Sequence, residues 1–222
     1  MKKIVDLSMV IEEGMQTFAA HWHPFVELSI LGRHGLENRQ TTKIVMGTHT
    51  GTHIDAPRHF IKDGKTVDQI KLSDLNGPAI IIDCTIFPNF SEISKKDLIS
   101  LVDGRSVERL VARFNWDEYL GSNEYYSDHA FFSTEACEWL VENGCKVLAL
   151  DTPQPDNPKN GRHAENDAPN HHILLGSGVT IVEYLVNLKN IPKDEFFLIV
   201  APLKIKGADG APARCFAIMN DI

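Results

Sequence analysis

The stretch from His49 to Phe60, "HTGTHIDAPRHF", contains three histidines and an aspartate within twelve residues. The whole chain has only ten histidines in 222 residues, so these side chains form a local excess. Imidazole and carboxylate groups are the ligands that zinc and manganese share. Two imidazoles and one carboxylate would leave coordination positions open, as expected of a catalytic rather than a structural metal site. We therefore expect His49, His53 and Asp55 to bind a divalent ion.

This interpretation requires a bend in the backbone between the two histidines. In a straight strand, which rises ~3.3 Å per residue, His49 and His53 would lie ~13 Å apart, too far to share an ion. Gly51 lies between them and tolerates backbone conformations that other residues avoid. We expect a strand over 41–47 to lead into a turn at Gly51. The alternative is a polar loop whose histidines hydrogen-bond only to the backbone.

Composition limits the kinds of partner. A net charge of −8 and a pI near 5.6 disfavour a nucleic-acid or anionic membrane surface. The longest apolar run, 196–203, is far shorter than the ~18 residues of a membrane span. The N-terminus does not resemble a signal peptide, and the four cysteines lack CxxC spacing, which is typical of buried thiols in a reducing cytoplasm. We expect a cytoplasmic protein with one domain over 1–222 and a small-molecule substrate.

The elements that must position these residues are mainly strands. Short apolar, β-branched runs bounded by Gly, Pro, Asp or Asn predict strands at 3–8, 41–47, 78–85, 109–114, 146–152, 196–205 and 214–220. Two helices are indicated by N-cap residues, Ser94 with Asp97 three residues later, and Ser133 with Gly144 as the C-terminal stop. Residues 178–188 fit a helix or a strand. Residues 151–172, rich in Pro, Asn, Asp and Gly, predict a long irregular loop.

The histidine stretch is similar to the H-x-G-T-H-x-D-x-P-x-H-F signature of the cyclase-like metal-dependent hydrolases. This family includes bacterial kynurenine formamidases (arylformamidases) and isatin hydrolases. The segments 6–15, 116–156 and 196–218 also resemble family members, so the resemblance covers nearly the full chain. It implies the swivelling β/β/α architecture, an α/β fold of mixed β-sheets with flanking helices, and a homodimer or homotetramer.

The resemblance also implies roles for individual residues. His49, His53 and Asp55 correspond to metal ligands, and His59 to a general acid/base beside the metal-bound water. In the kynurenine formamidase branch, a histidine and a glutamate twelve residues later hold a second metal, with the aspartate bridging. His171 and Glu183 have that spacing. The alternatives to His171 are His172 and His163, and the alternative for Glu183 is an ordinary exposed acid.

The segment after Gly14 and Met15 departs from the family pattern. Family members often carry prolines and an aromatic residue there, whereas this chain has "GMQTFAAHWHPF" with Gln16 and Ala19 in place of proline. Phe18 is the matching aromatic residue, and Trp22 and His23 are further candidates for a substrate pocket. Core packing is the alternative for an aromatic side chain at these positions.

Three functions remain open. The first is a metal-dependent hydrolase of a small amide, of the N-formylkynurenine type, that uses one or two zinc or manganese ions. The second is a ring-opening hydrolase of a lactam or lactone, of the isatin hydrolase type, with one ion. The third is a metal-binding protein without turnover, which would have no use for His59. The chain has no Gly-x-Ser-x-Gly motif, so a serine hydrolase has no support.

Overall fold

The computed structural model describes residues 3–161, 164 and 167–219. His163, one alternative to His171, lies outside these residues. In chain order the described strands are β1 (Lys3–Asp6), β2 (Glu27–Gly32), β3 (Thr41–Val45), β4 (His53–Asp55), β5 (Gly77–Asp83), β6 (Glu92–Ile93), β7 (Arg109–Arg113), β8 (Phe131–Phe132), β9 (Val147–Leu150), β10 (Thr180–Glu183), β11 (Glu195–Pro202) and β12 (Gly210–Met219). The described α-helices are α1 (Leu72–Leu75), α2 (Lys95–Val102), α3 (Thr134–Glu142) and α4 (Pro169–Gly176).

Eight strands form one sheet in the order β1-β12-β11-β5-β7-β9-β10-β4. An additional pairing between β4 and β12 curls the sheet into a closed, barrel-like structure. The strands β5, β7, β9 and β10 are parallel neighbours, and the other pairs are antiparallel. The strands β2 and β3 form a separate antiparallel pair, and β6 and β8 a short parallel one. These mixed sheets with flanking helices confirm the predicted fold class.

The parallel strands divide the apolar core into two clusters. Alternate residues of a strand point to opposite faces, and in β9 Ala149 belongs to the cluster inside the barrel whereas Leu148 faces the helices. Leu98, Leu140 and Leu174 of α2, α3 and α4 cover that second face. Because both faces are covered, the parallel strands are continuous apolar runs rather than alternating ones.

The two predicted helices begin at the predicted caps. The Ser94 side chain accepts a hydrogen bond from the Asp97 amide at 3.2 Å, and the Asp97 carboxylate accepts one from the Ser94 amide at 3.1 Å. The Ser133 hydroxyl accepts from the amide of Ala136 at the start of α3. Gly144 follows α3 with a positive φ of 79°, the left-handed conformation in which helices often end.

The prediction of an irregular segment over 151–172 was wrong at its C-terminal end. The helix α4 begins at Pro169. Proline is favoured at the first helical position because the amide that it lacks would have no partner within the helix. His171 therefore lies on a helix rather than a loop. The ambiguous segment 178–188 contains the strand β10, buried along its whole length. The strands β2, β4, β6 and β8 were not predicted.

The described helices are all too short or too polar to cross a membrane. All four cysteines are buried and free, as predicted.

Candidate metal centre

The short strand β4 lies at the closure of the barrel and carries His53 and Asp55. It pairs with β10 on one side and β12 on the other, and all three of its residues are buried. The register places Glu183 of β10 opposite His53, and Gly210 of β12 opposite Asp55. Residues that are far apart in sequence therefore meet because β4 completes the barrel between them.

Gly51 turns the backbone immediately before β4. Its φ is +59°, a left-handed conformation that suits glycine. The backbone carbonyl of Gly51 accepts a hydrogen bond from Nδ1 of His53 at 2.8 Å, which leaves Nε2 of His53 directed at the carboxylates. The predicted bend is therefore present, and it brings His49 back towards His53, with their ring centroids 5.0 Å apart.

Asp55 lies at the centre of the cluster. Its Oδ1 is 2.7 Å from Nδ1 of His49 and 3.3 Å from Nε2 of His53. Its Oδ2 is 3.3 Å from Nε2 of His171. Burial opposes ionisation of Asp55, but the charges of His49 and His59 outweigh burial and hold its pKa well below the usual value. The Asp55 carboxylate thus contacts His49 and His53 through one oxygen and His171 through the other.

His171 and Glu183 form the side of the cluster that faces Oδ2 of Asp55. Nε2 of His171 is 3.2 Å from Oε1 of Glu183, and Oε2 of Glu183 is 3.5 Å from Nε2 of His53. Glu183 is 5 % exposed, which excludes the surface-acid interpretation. Burial and the neighbouring charge of Asp55 raise the pKa of Glu183 above its usual value.

His171, and not its neighbour His172, enters the cluster. Nδ1 of His171 donates a hydrogen bond to the buried carboxylate of Asp156 at 2.6 Å, which leaves Nε2 for the site. The same carboxylate accepts hydrogen bonds from the amides of Asn170 and His171 in the first turn of α4. His172 is exposed, and its ring contacts that of Phe60 edge-on, with centroids 5.1 Å apart. The carboxylate of Asp156 therefore fixes both the helix start and the ring orientation of His171.

The donor atoms of this cluster fit a bound cation. His53 Nε2, Asp55 Oδ2 and Glu183 Oε1 are buried and make no well-oriented hydrogen bond to any described residue. The two oxygens have only Nε2 of His171 nearby, at 3.3 and 3.2 Å, and one N–H cannot satisfy both. Leaving a buried polar group unsatisfied costs about 1–3 kcal/mol, and more for a charged group. A divalent cation would satisfy all three atoms and offset the repulsion between Asp55 and Glu183. The nitrogen and oxygen donors, without a thiolate, suit zinc or manganese.

His59 lies beside the cluster in the short 3-10 turn Pro57–His59. Its ring stacks obliquely on that of His49, with centroids 3.9 Å apart. Ligand atoms of His49, Asp55 and His59 all lie within 4.8 Å of one another. The geometry therefore allows His59 to bind the ion itself as well as to transfer protons beside it.

A cavity of about 230 Å³ opens onto these side chains. All three predicted pocket residues, Phe18, Trp22 and His23, line its walls together with Phe60 and Tyr184. Phe18 contacts the His23 ring edge-on, with centroids 5.6 Å apart. Burial lowers the pKa of His23 to about 4, so this imidazole is neutral at pH 7. The cavity combines an apolar, aromatic wall with a charged floor.

Asp209 belongs to the site but was not predicted from the sequence. The carboxylate of Asp209 accepts a hydrogen bond from Nε2 of His49 at 2.8 Å. Hydrogen bonds from His49 and His59 lower the pKa of Asp209 below its usual range. Burial lowers the pKa of His49, but the charges of Asp55 and Asp209 outweigh burial and raise it to about 10. A lone acid in a loop is exposed by default, so the sequence alone offered no signal for Asp209.

Tyr184 is another residue of the site that was not predicted. Its φ is +58°, uncommon for a residue with a side chain, and it turns the backbone directly after Glu183. The hydroxyl of Thr52 donates to the Tyr184 carbonyl at 2.6 Å and ties this turn to the residue before β4. A backbone conformation that is unfavourable for a residue with a side chain persists only where neighbouring contacts enforce it, and such positions are often found at functional sites.

Gly210 provides a test of the packing behind His49. A Cβ at this position would lie 2.6 Å from Cε1 of His49 and 2.8 Å from the carbonyl oxygen of Ile54. We expect Gly210→Ala to displace the His49 ring, weaken metal binding and lower the free energy of unfolding by about 1–3 kcal/mol. Metal titration and thermal denaturation measure these effects. Gly35→Ala is the matched control because no atom of the described chain lies within 4 Å of its Cβ position. Equal behaviour of the two variants would contradict the close packing.

Comparison with known proteins gives consistent matches. Residues 5–157 match a protein family described as "Putative cyclase". The chain is 33% identical over 177 residues to a kynurenine formamidase of Salinibacter ruber. The aligned region covers 79% of this chain and 77% of the relative. It is 30% identical over 213 residues to a kynurenine formamidase of Bacillus anthracis, covering 96% and 95% of the two chains.

Solved structures match over the full chain. Isatin hydrolase A from Labrenzia aggregata superposes with a TM-score of 0.89 at 26% identity, over 99% of this chain and 94% of that chain. A structure described as a potential metal-dependent hydrolase with cyclase activity has a TM-score of 0.79 at 29% identity, with both chains covered completely.

Proposed function

Because this chain belongs to the putative cyclase family, we propose that it is a metal-dependent hydrolase that cleaves a small aryl amide of the N-formylkynurenine type. The observation that carries the proposal is the set of buried ligand atoms of His53, Asp55 and Glu183 that make no well-oriented hydrogen bond to a described residue and lie on the floor of an aromatic-lined cavity. The identity of 30–35% with kynurenine formamidases favours a carbon–nitrogen bond outside peptides as the bond that is cleaved.

The proposed ligands divide between the two oxygens of Asp55. His49, His53 and Oδ1 of Asp55 would hold one zinc or manganese ion. His171, Glu183 and Oδ2 of Asp55 would hold a second, with Asp55 as the bridge. A carboxylate whose two oxygens face different imidazoles supports this division.

A divalent ion would supply a hydroxide nucleophile at neutral pH, because it lowers the pKa of a coordinated water from about 15.7 to about 7. His59, at the edge of the cavity, takes a proton from the attacking water and returns it to the departing amine nitrogen. The carbonyl carbon gains the water oxygen as its bond to nitrogen breaks, so the products are a carboxylic acid and an aryl amine. Phe18 and Trp22 would hold the aryl ring and shield the reaction from bulk water.

The substrate is tested by kinetics of the metal-loaded protein with N-formylkynurenine, isatin and a simple lactone. We expect the highest kcat/KM for N-formylkynurenine and no turnover after metal removal by a chelator. A higher kcat/KM for isatin would favour the ring-opening alternative. Undiminished turnover by the metal-free protein would refute a metal-dependent reaction of either kind.

The ring-opening alternative is favoured by the TM-score of 0.89 with isatin hydrolase A. We expect one ion for a hydrolase of this type, so metal stoichiometry separates the two functions. For the amide hydrolase we expect two ions per chain by elemental analysis and a loss of about one ion in Glu183→Ala, because a divalent ion needs its carboxylate ligand. Glu135→Ala, at an exposed acid in the first turn of α3, is the control. One ion in the wild type, unchanged in Glu183→Ala, would support the isatin-type enzyme.

We also propose that the chain assembles as a homodimer or homotetramer. The separate β2–β3 pair exposes large apolar side chains, among them Ile30, Leu31 and Ile44, which supports contact with another surface. Light scattering of the purified protein tests this, and a monomeric mass would contradict it. The cytoplasmic location and the absence of nucleic-acid and membrane partners stay predictions.

A further inference from the structure

The carboxylate of Asp209 contacts two imidazoles of the site at once. Its Oδ2 lies 2.8 Å from Nε2 of His49 and 3.4 Å from Nδ1 of His59. Its Oδ1 accepts a hydrogen bond from the hydroxyl of Thr48 at 3.2 Å. The carbonyl of Asp209 accepts from the amide of Ala56 at 2.8 Å, just before the turn that carries His59. Asp209 is thus anchored to the same segment as both rings.

The contact with His49 determines which of its nitrogens is available to a metal. A neutral imidazole carries one N–H and one lone pair, and the hydrogen bond made by one nitrogen sets the role of the other. With Nε2 donating to Asp209, Nδ1 is the nitrogen that faces Oδ1 of Asp55, at 2.7 Å. A metal that displaces the proton of Nδ1 would bind the lone pair of that nitrogen. His171 has the same arrangement with its two nitrogens exchanged: Nδ1 contacts the Asp156 carboxylate, and Nε2 faces the cluster.

The contact with His59 has the corresponding effect on proton transfer. When Nδ1–H of His59 is held by Asp209, Nε2 is the nitrogen with a free lone pair that can accept a proton from water. A carboxylate behind an imidazole orients the ring and stabilises its protonated form. The His59 side chain is 26% exposed, so packing alone does not fix its orientation.

We propose that Asp209 is a positioning residue whose single carboxylate sets the ring orientation and tautomer of both His49, for metal binding, and His59, for proton transfer. The part concerning His59 rests on the proposed function, whereas the part concerning His49 requires only that a metal binds. An ordinary ion pair with a half-exposed carboxylate would contribute little to either process.

The test is Asp209→Asn, which keeps the shape of the side chain and removes its charge. Metal affinity is measured without substrate, by competition between the protein and a chelator for Zn²⁺. We expect affinity to fall by about 10- to 100-fold, as is typical when the partner behind a ligand histidine is lost. With metal at saturation we expect kcat to fall by about 10-fold or more, while KM changes little, because Asp209 acts on His59 rather than on the substrate.

Two further variants make the result specific. Thr48→Val removes only the hydroxyl that holds Oδ1 of Asp209, and we expect smaller losses in the same two measurements. Asp209→Glu retains the charge and should restore part of the metal affinity. Asp6→Asn is the matched control, because Asp6 is also a partly exposed, hydrogen-bonded carboxylate, with 47% of its side chain exposed against 40% for Asp209.

The outcomes are distinct. Wild-type metal affinity in folded Asp209→Asn, or equal losses in Asp6→Asn, would overturn the proposal. A loss confined to affinity or to kcat would overturn the shared role. If the wild type binds Zn²⁺ but hydrolyses no amide, the proposed function fails, and the affinity measurement still decides whether Asp209 positions His49. A long-range ¹H–¹⁵N spectrum of the zinc-loaded protein reports the tautomer directly, with protonated Nε2 expected for His49.

Discussion

Replacement of Asp55 by asparagine will remove most of the bound metal and lower kcat/KM by more than about 1,000-fold. Loss of an outer partner of a ligand typically costs 10- to 100-fold, and Asp55 is a predicted ligand rather than an outer partner. Among the residues that the structure describes, its carboxylate is the one group that contacts His49, His53 and His171 together. A neutral amide at this position therefore weakens every part of the cluster. Elemental analysis and steady-state kinetics measure the two losses.

The control for this variant is Asp68→Asn. Asp68 is also hydrogen-bonded, to the Thr66 hydroxyl and the Gly207 amide, but lies away from the cluster. We expect wild-type metal content and kinetics for it. Because the removed charge faces Glu183 in the cluster, Asp55→Asn should fold, which circular dichroism checks. A folded Asp55→Asn protein with full metal content would refute the proposed role of Asp55.

Replacement of His59 by alanine separates proton transfer from metal binding. We expect metal content to stay at the wild-type level and kcat to fall roughly 100- to 10,000-fold, the usual contribution of a general acid/base. Because the His59 side chain is 26% exposed, its removal leaves a space open to solvent. Added imidazole should enter this space and restore part of the activity.

His172→Ala is the control, since His172 is an exposed histidine on α4 outside the cluster. It should match the wild type in metal content and in kcat. A loss of metal in His59→Ala would instead make His59 a ligand, which its distance from His49 and Asp55 permits. Unchanged hydrolysis rates in His59→Ala would favour a metal-binding protein whose chemistry lies elsewhere.

The part of the site that could be predicted from the sequence is the part encoded within a few residues. His49, His53 and Asp55 fall within one short stretch, and Gly51 supplies the bend that local geometry demands. Helix caps at Ser94 and Ser133 are similarly local, because each capping hydrogen bond spans three residues. Such features depend on backbone dihedral angles near the residue itself.

The remainder depends on contacts between distant segments. His171 and Glu183 could be named only through the resemblance to kynurenine formamidases, since nothing near Glu183 distinguishes it from a surface acid. Asp209 was missed because its partner lies on a segment far from it in sequence. The three residues of β4 resemble a polar loop more than a strand, and they become a strand because β10 and β12 pair with both of their edges.

The closure of the barrel by β4 has a consequence for the order in which the protein can form. The ribosome makes β4 early, yet its two hydrogen-bonding partners, β10 and β12, are among the last strands to be synthesised. A nascent chain that exposes His49, His53 and Asp55 therefore lacks the framework that would hold them together. Contacts of such long sequence separation form late, after the entropy of closing a long loop has been lost. The strand β4 therefore gains both of its neighbours only after Gly210–Pro212 has been translated.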